Sequence, residues 1–102
     1  MDRFAALGDN RRRQIVELLG SGERTAGAIG ALFPISAPAV SQHLKVLRDA
    51  GLVRVRIDGQ RRIYSLDPDS LAETEAWFQR VRSFWNTSLD ALERELSKED
   101  DS

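Results

Sequence analysis

Apolar residues recur at two different periods along this 102-residue chain, and the change of period marks its architecture. Up to about residue 50 the spacing is three and four, as in helices that bury one face. Phe4, Ala5 and Leu7 make residues 1–7 a short first helix suited to packing against a partner subunit, and Gly8 breaks it. Asp9 or Asn10 can cap a second helix with core positions Ile15, Leu18 and Leu19, which ends at Gly20-Ser21-Gly22. Thr25 can cap a third, from residue 26 to about 32, with Ile29, Leu32 and Phe33 as its buried side. Its small residues allow close helix packing, although Gly27 and Gly30 weaken it. Phe33-Pro34-Ile35 then makes a short turn.

Residues 36–51, SAPAVSQHLKVLRDAG, predict the best-bounded helix of the chain. Ser36 is a good N-cap, Pro38 sits in the first turn where its missing N–H costs nothing, and Gly51 is expected as the C-cap. Val40, Leu44 and Leu47 form a narrow apolar stripe, and Pro38, Ser41, Gln42 and Lys45 lie opposite it with Arg48 beside them. A small hydroxyl, an amide and a flexible cation are what base edges and phosphates accept. A merely solvated polar face would have the same composition.

The period then changes to two. In residues 52–66, LVRVRIDGQRRIYSL, Val53, Val55 and Ile57 alternate with Arg54 and Arg56, as in a half-buried strand. Asp58-Gly59 signals a hairpin turn, and residues 61–66 return. Arg61 and Arg62 fall near the hairpin tip. Basic residues also protect soluble sheet edges, but a polar-faced helix followed at once by a basic hairpin is the pattern of a winged helix-turn-helix. Asp67-Pro68-Asp69-Ser70 offers a turn and helix caps, and the helical period resumes over residues 71–96. There Trp77, Val81, Phe84, Trp85, Leu89, Leu92 and Leu96 share one stripe. So long a stripe exceeds what the small core can cover, which predicts a helix-mediated homodimer; the alternative is an intramolecular packing helix. Residues 97–102 are short, acidic and expected to fray.

The predicted fold is mainly α with a small β-hairpin (α+β): a winged helix-turn-helix of five helices plus a two-stranded wing. It forms one domain over 1–102, with a core of about 9–66, dimerisation helices at 1–8 and 70–96, and an acidic tail at 97–102.

Charge sharpens this picture. The net charge of −1 conceals an asymmetry: Lys/Arg against Asp/Glu run 5 to 4 over residues 1–35, 6 to 2 over 36–66, and 4 to 10 over 67–102. The surplus of basic groups coincides with the helix and hairpin that could meet nucleic acid, while the acidic end belongs away from DNA or at a dimer seam. Arg11-Arg12-Arg13 opens a helix against its macrodipole, which suggests contact with phosphate or an acidic neighbour as readily as a solvated cluster. With no cysteine, disulfides, thiol redox sensing and thiolate metal sites are excluded. No signal-length apolar run and no span of about 20 apolar residues occurs, so a cytoplasmic protein without a membrane partner is expected.

The order FAALGDNRRRQIVELL, ISAPAVSQHLKVLRDAGLVRVRIDGQRRIYSL and a long aromatic-bearing helix resembles the ArsR-type family of winged-helix repressors. The resemblance covers nearly the whole chain, and AVSQHLKVLRDAGLV with the following wing is its specific part. It implies a homodimer built on the first and last helices, with Phe4, Leu7, Trp77, Val81, Phe84, Trp85, Leu89 and Leu92 at the seam. It also implies two reading helices in successive major grooves of a palindromic DNA operator, with wings on flanking DNA. By position, Ser36, Ala37, Pro38, Ser41, Gln42, Lys45 and Arg48 belong to the DNA-facing helix, and Arg61, Arg62 and Tyr64 to the wing. His43 belongs to the same helix but flanks its apolar stripe, which favours packing or hydrogen bonding over base contact. Alternation leaves open which face of its strand Tyr64 occupies.

Metal-sensing members of that family carry cysteines in the third helix, or histidine and carboxylates in the last. Here the third helix reads TAGAIGALF and the last lacks histidine, while Glu73 and Glu75 alone suit a soft or borderline metal poorly. The resemblance is therefore to repressors, including autorepressors, without metal or cofactor. No nucleophile-base-orienter set, phosphate loop or metal set marks an enzyme. Two alternatives stay open: a winged helix used only for protein docking, and a repressor released by an unidentified small molecule.

Overall fold

Every helix begins at a side-chain cap, so the chain's start signals are converted into hydrogen bonds. Asp2 opens α1 (Arg3–Ala6) by accepting from the Ala5 amide at 2.8 Å. Asp9 opens α2 (Asn10–Leu19), accepting from the Arg11 and Arg12 amides at 2.8 and 3.1 Å. Thr25 caps α3 (Ala26–Ala31) through the Ala28 amide, and Ser36 caps α4 (Ala37–Asp49) through the Ala39 amide. Asp67 accepts from the Asp69 and Ser70 amides at 3.0 and 3.1 Å, opening α5 (Pro68–Asp100). These bonds satisfy amides that the helices cannot satisfy themselves. This computed structural model describes residues 1–100, and the side chains of residues 1–98.

Several boundaries differ from expectation. The first helix is one turn, Arg3–Ala6, because Asp2 is its N-cap and Leu7 its C-cap. Ala50, not Gly51, is the C-cap of α4, and Gly51 stands one place beyond it with φ of +80°. The Gly51 and Leu52 amides donate to the Arg48 and Leu47 carbonyls, both at 3.0 Å, a Schellman closure that needs glycine in the left-handed region. Leu32 is 60% exposed rather than buried, since it caps α3 instead of continuing its inner face. Helix α5 starts at Pro68 and continues through residues 97–100, which were expected to fray; residues 101–102 lie outside the described residues.

The three consecutive arginines have a local explanation. Arg12 Nε donates to the Ala6 carbonyl at 2.7 Å, and Arg13 donates to the Leu7 carbonyl at 3.0 Å and to Asn10. Positive side chains thus close the C-terminal end of α1, where carbonyls lack helical partners. Arg11 donates to Gln14 and lies 5.2 Å over the Phe33 ring.

The sheet has three antiparallel strands in the order β1-β3-β2, one more than the wing alone: β1 (Arg24–Thr25), β2 (Val53–Asp58) and β3 (Arg61–Leu66). The added strand escapes periodicity because it is two residues long, and Thr25 both pairs with Ile63 and caps α3. Gly59, at φ +63°, is the first central residue of the hairpin turn, where a two-residue type II′ connection needs glycine.

The chain divides into two compact units, Met1–Leu71 and Ala72–Ser102. In the first, Ile15, Leu19, Ile29, Val40, Leu44, Leu47, Leu52, Val53 and Tyr64 form one buried cluster, with Leu7 and Val55 packed against it. Ile15, Ile29 and Leu47 are wholly excluded from solvent. In the second, α5 keeps Val81, Phe84, Trp85, Leu89, Leu92 and Leu96 exposed in the single chain, with Phe84 at 74%.

Candidate nucleic-acid interface

The register of the hairpin sorts its arginines by face. Directly paired residues share a face of an antiparallel sheet. Val55 pairs with Tyr64 and Ile57 with Arg62, while Arg54 pairs with Ser65, Arg56 with Ile63 and Asp58 with Arg61. Tyr64 belongs to the buried cluster that α4 also joins, so the face carrying Val55, Tyr64, Ile57 and Arg62 is the one turned to that helix. This settles the orientation of Tyr64: its side chain is buried, 6% exposed, and packs inward.

On the opposite face each arginine has a carboxylate. Arg54 lies 3.2 Å from Asp67 and 3.9 Å from Asp69, Arg56 is 2.7 Å from Glu23, and Arg61 is 2.9 Å from Asp58. The hydrogen bond to Glu23, more than the carboxylate's charge, raises the Arg56 pKa above its ordinary value. Arg62 makes no ion pair or side-chain hydrogen bond among the described residues. The two tip arginines, alike in sequence, are therefore electrostatically unlike.

Between α4 and β3 lies an open groove of about 420 Å³ lined by Pro38, Ser41, Gln42, Lys45 and Arg48, with Arg62 and Tyr64 opposite and Ala26 and Leu44 completing it. Ser41, Gln42 and Lys45 are exposed, and their side chains have no partner among the described residues. Arg48 is loosely paired with Asp49 at 3.8 Å. The burial of Val40, Leu44 and Leu47, each at 3% or less, fixes the helix so that its polar side turns outward. A helix held this way presents hydroxyl, amide and ammonium groups together, beside a free guanidinium from the strand.

Three of the predicted helix residues lie outside the groove lining. The Ser36 hydroxyl is engaged with the Ala39 amide at 3.2 Å, and Ala37 is exposed at the helix start. His43 is half-buried and turns to α2, its Nδ1 3.5 Å from an Arg12 nitrogen. Asp9 completes that corner. Chiefly the Arg12 amide, aided by the Arg11 amide and the nearby positive charges, holds its carboxyl below the usual 3.8. Among the described residues no group of three or more His, Cys, Asp or Glu is arranged to hold a metal ion. No described helix is long and apolar enough to cross a membrane.

Sequence reasoning placed Ile57 among half-buried strand residues, but it is 72% exposed at the distal end of β2. Alternation gave its face correctly; what it could not show is that the strand outruns the core after Val55. Phe78, 55% exposed and edge-on to Trp77 at 5.1 Å, was likewise missed because it sits one place off the stripe of α5.

A buried-stripe helix preceded by a short positioning helix and followed by an antiparallel hairpin defines the winged helix-turn-helix class of DNA-binding proteins. Within that class, the profile described as "Bacterial regulatory protein, arsR family" matches residues 9–55. The chain is 44% identical over 98 residues to the HTH-type transcriptional regulator Rv2034 of Mycobacterium tuberculosis, covering 96% of this chain and 89% of that one. It is 39% identical over 74 residues to the transcriptional repressor SdpR of Bacillus subtilis, covering 72% and 82%. A solved homodimeric winged helix-turn-helix DNA-binding domain from Mycobacterium bovis matches with a TM-score of 0.64 and 34% identity, over 78% of this chain and 73% of that one. The chain belongs to the ArsR family of bacterial transcriptional regulators.

Proposed function

We propose that this protein represses transcription as a homodimer on a palindromic operator in the cytoplasm, without a metal effector. The observation that carries the proposal is the groove in which Ser41, Gln42, Lys45 and Arg62 present unpartnered polar groups from two elements at once. Gln42 suits a bidentate pair with adenine, Ser41 accepts either base type, and the cations suit phosphates. A protein-docking face would instead centre on apolar anchors, and α4 directs its large apolar residues into the core. The repression reading draws support from SdpR, and the dimer from the Mycobacterium bovis domain. The exposed stripe of α5 fits such a dimer, and so does the exposed Phe4. The absence of cysteine, together with a lone histidine that faces Arg12, supports an effector other than a thiophilic metal.

The test is selection of binding sites from a random duplex library, followed by fluorescence anisotropy at several salt concentrations. The expected result is an inverted repeat with half-sites about one helical turn apart, bound in a salt-sensitive manner and unaffected by added arsenite or zinc. Absence of any salt-sensitive binding would overturn the DNA assignment. Release by either metal would overturn the metal-independent part alone.

A further inference from the structure

Of the three arginines that open α2, Arg12 is the one whose side chain joins two other helices. Its Nε donates at 2.7 Å to the Ala6 carbonyl at the end of α1. One terminal nitrogen lies 3.5 Å from His43 Nδ1 on α4, and the other lies 3.9 Å from the Met1 sulfur. Its backbone amide is held by Asp9 at 3.1 Å. Arginine offers no acceptor, so the contact with His43 requires an unprotonated Nδ1 and places the ring's proton on Nε2. A half-buried histidine beside an arginine is commonly no more than a satisfied corner of a fold. The position and the type of this residue both give it a consequence for binding.

Its position matters because His43 directly follows Gln42. The stripe of Val40, Leu44 and Leu47 decides which side of α4 turns inward, but hydrophobic contact is non-directional and fixes small rotations poorly. A side-chain tip about 6 Å from the helix axis moves about 1 Å for every 10° of rotation. That exceeds the spread of distances over which a hydrogen bond stays good. A directional bond from a guanidinium anchored on α1 and α2 holds the rotation.

The residue type matters because His43 is the single histidine of a chain without cysteine. It is therefore the one side chain of a kind that ordinarily changes charge between about pH 5 and 8. From α2, Arg12 and the Asp9 carboxylate are the charged groups that act on the ring. Among the other elements packed on α4, α3 has no titratable residue, and Arg3 of α1 donates to the Ser70 carbonyl. The charged residues of β2 are engaged with Asp67, Glu23 and Arg61. Lys45, Arg48 and Arg62 line the groove instead. Protonation of Nδ1 thus ends the bond and sets two like charges about 3.5 Å apart, with Asp9 alone to offset them.

We infer that Arg12 and His43 are positioning residues for α4. The neutral imidazole, held by Arg12, sets the rotation at which Ser41 and Gln42 meet base edges, and protonation releases it. Operator preference is consequently complete where His43 is neutral and declines as the ring takes up its proton. This inference rests on the DNA reading proposed above.

The experiment measures the ratio of affinities for the selected operator and for a scrambled duplex, using the full chain at about pH 8 and about pH 5.5. For the unaltered chain the ratio should fall about tenfold in acid, the scale of one lost matched base pair. Affinity for the scrambled duplex should not fall, since an added positive charge favours phosphate. His43→Asn, whose amide oxygen takes the place of Nδ1 and accepts at either pH, should keep the ratio high at both. Arg12→Met should lower it at both and abolish the pH dependence, with circular dichroism showing the helices retained. If that variant fails to fold, the comparison with His43→Asn decides alone. A ratio that stays constant in the unaltered chain would overturn the inference. So would a ratio that rises in acid, which would make the imidazolium a direct DNA contact, or a fall that persists in His43→Asn. If the unaltered chain bound neither duplex in a salt-sensitive way at pH 8, the DNA reading would fall and this inference with it.

Discussion

Helices α4 and α5 are both amphipathic, yet they leave opposite faces for function. In α4 the apolar stripe is covered within its own unit, with Val40, Leu44 and Leu47 at 3% exposure or less. What remains outside is the polar side, Ser41, Gln42 and Lys45. In α5, about 50 Å long at 1.5 Å per residue, the apolar stripe stays outside, with Trp85 at 60% and Leu92 at 55%. The lesson is that amphipathicity identifies two faces but not which one is used. The decision comes from what else the domain supplies to cover the stripe: Ile15, Leu19, Ile29 and Leu52 do so for α4, and a second copy of the chain is the proposed cover for α5.

Polar substitution on the stripe of α5 is the most severe way to break the comparison. Trp85→Glu combined with Leu89→Glu should give a folded monomer by sedimentation. Operator affinity should fall about 10²- to 10⁴-fold, because two half-sites are no longer bound together. A variant that stays dimeric would remove α5 from the interface. The counterpart on α4 is Leu44→Ala, at a position 1% exposed. It should lower unfolding free energy by about 2–5 kcal/mol in urea titration, through lost burial and a cavity. A loss below 1 kcal/mol would mean that the stripe of α4 is not what fixes its orientation.

How far the sequence discloses all this depends on the range of the interaction. Caps and periods are local, and Ser36, Thr25, Asp9 and the stripe of α4 were each legible from a few neighbouring residues. The wing was legible too, through Asp58-Gly59 and the alternation around it. Arg61 and Arg62 were not distinguishable, because their difference lies in strand register and in the position of Asp58 across the turn. The use of Arg12 and Arg13 on the carbonyls of α1 was also hidden, since it depends on how the chain reverses at Gly8. Leu32 and Ile57 look like core residues by spacing, and only the extent of the core reveals that both lie beyond it.

Smaller effects sharpen the assignment of the polar side. Gln42→Ala should relax base preference at one position of each half-site, costing about 1–3 kcal/mol of discrimination there. Binding competition against a panel of single-base operator variants measures it, and unchanged discrimination would move base reading elsewhere on α4. Below that lies the contrast within the wing. Arg62→Ala should flatten the dependence of log affinity on log salt by up to about 1.8 in a dimer that loses two contacts. Arg61→Ala, whose guanidinium is already neutralised by Asp58, should flatten it less. Equal slopes for the two variants would dissolve the distinction between the faces.

The smallest effect concerns how the two helices begin. A serine hydroxyl caps α4, and a carboxylate caps α5. The Asp67 carboxyl is held below its ordinary value of 3.8, first by the Ser70 amide and then by the Arg54 guanidinium. Because the folded state binds its proton less readily than the unfolded state, the contribution of Asp67 is complete above the ordinary value. It fades as the pH falls below that value toward the lowered one. The hydroxyl of Ser36 does not titrate in this range, so the start of α4 is indifferent to acid. Asp67→Ser would give α5 the kind of cap that α4 has. Circular dichroism with urea at successive pH values should show this variant less stable than the unaltered chain near neutrality. The gap should close as the pH falls below about 4. A gap that stayed constant down to pH 2 would mean that the charge of Asp67, and with it the Arg54 contact, contributes nothing to holding the start of α5.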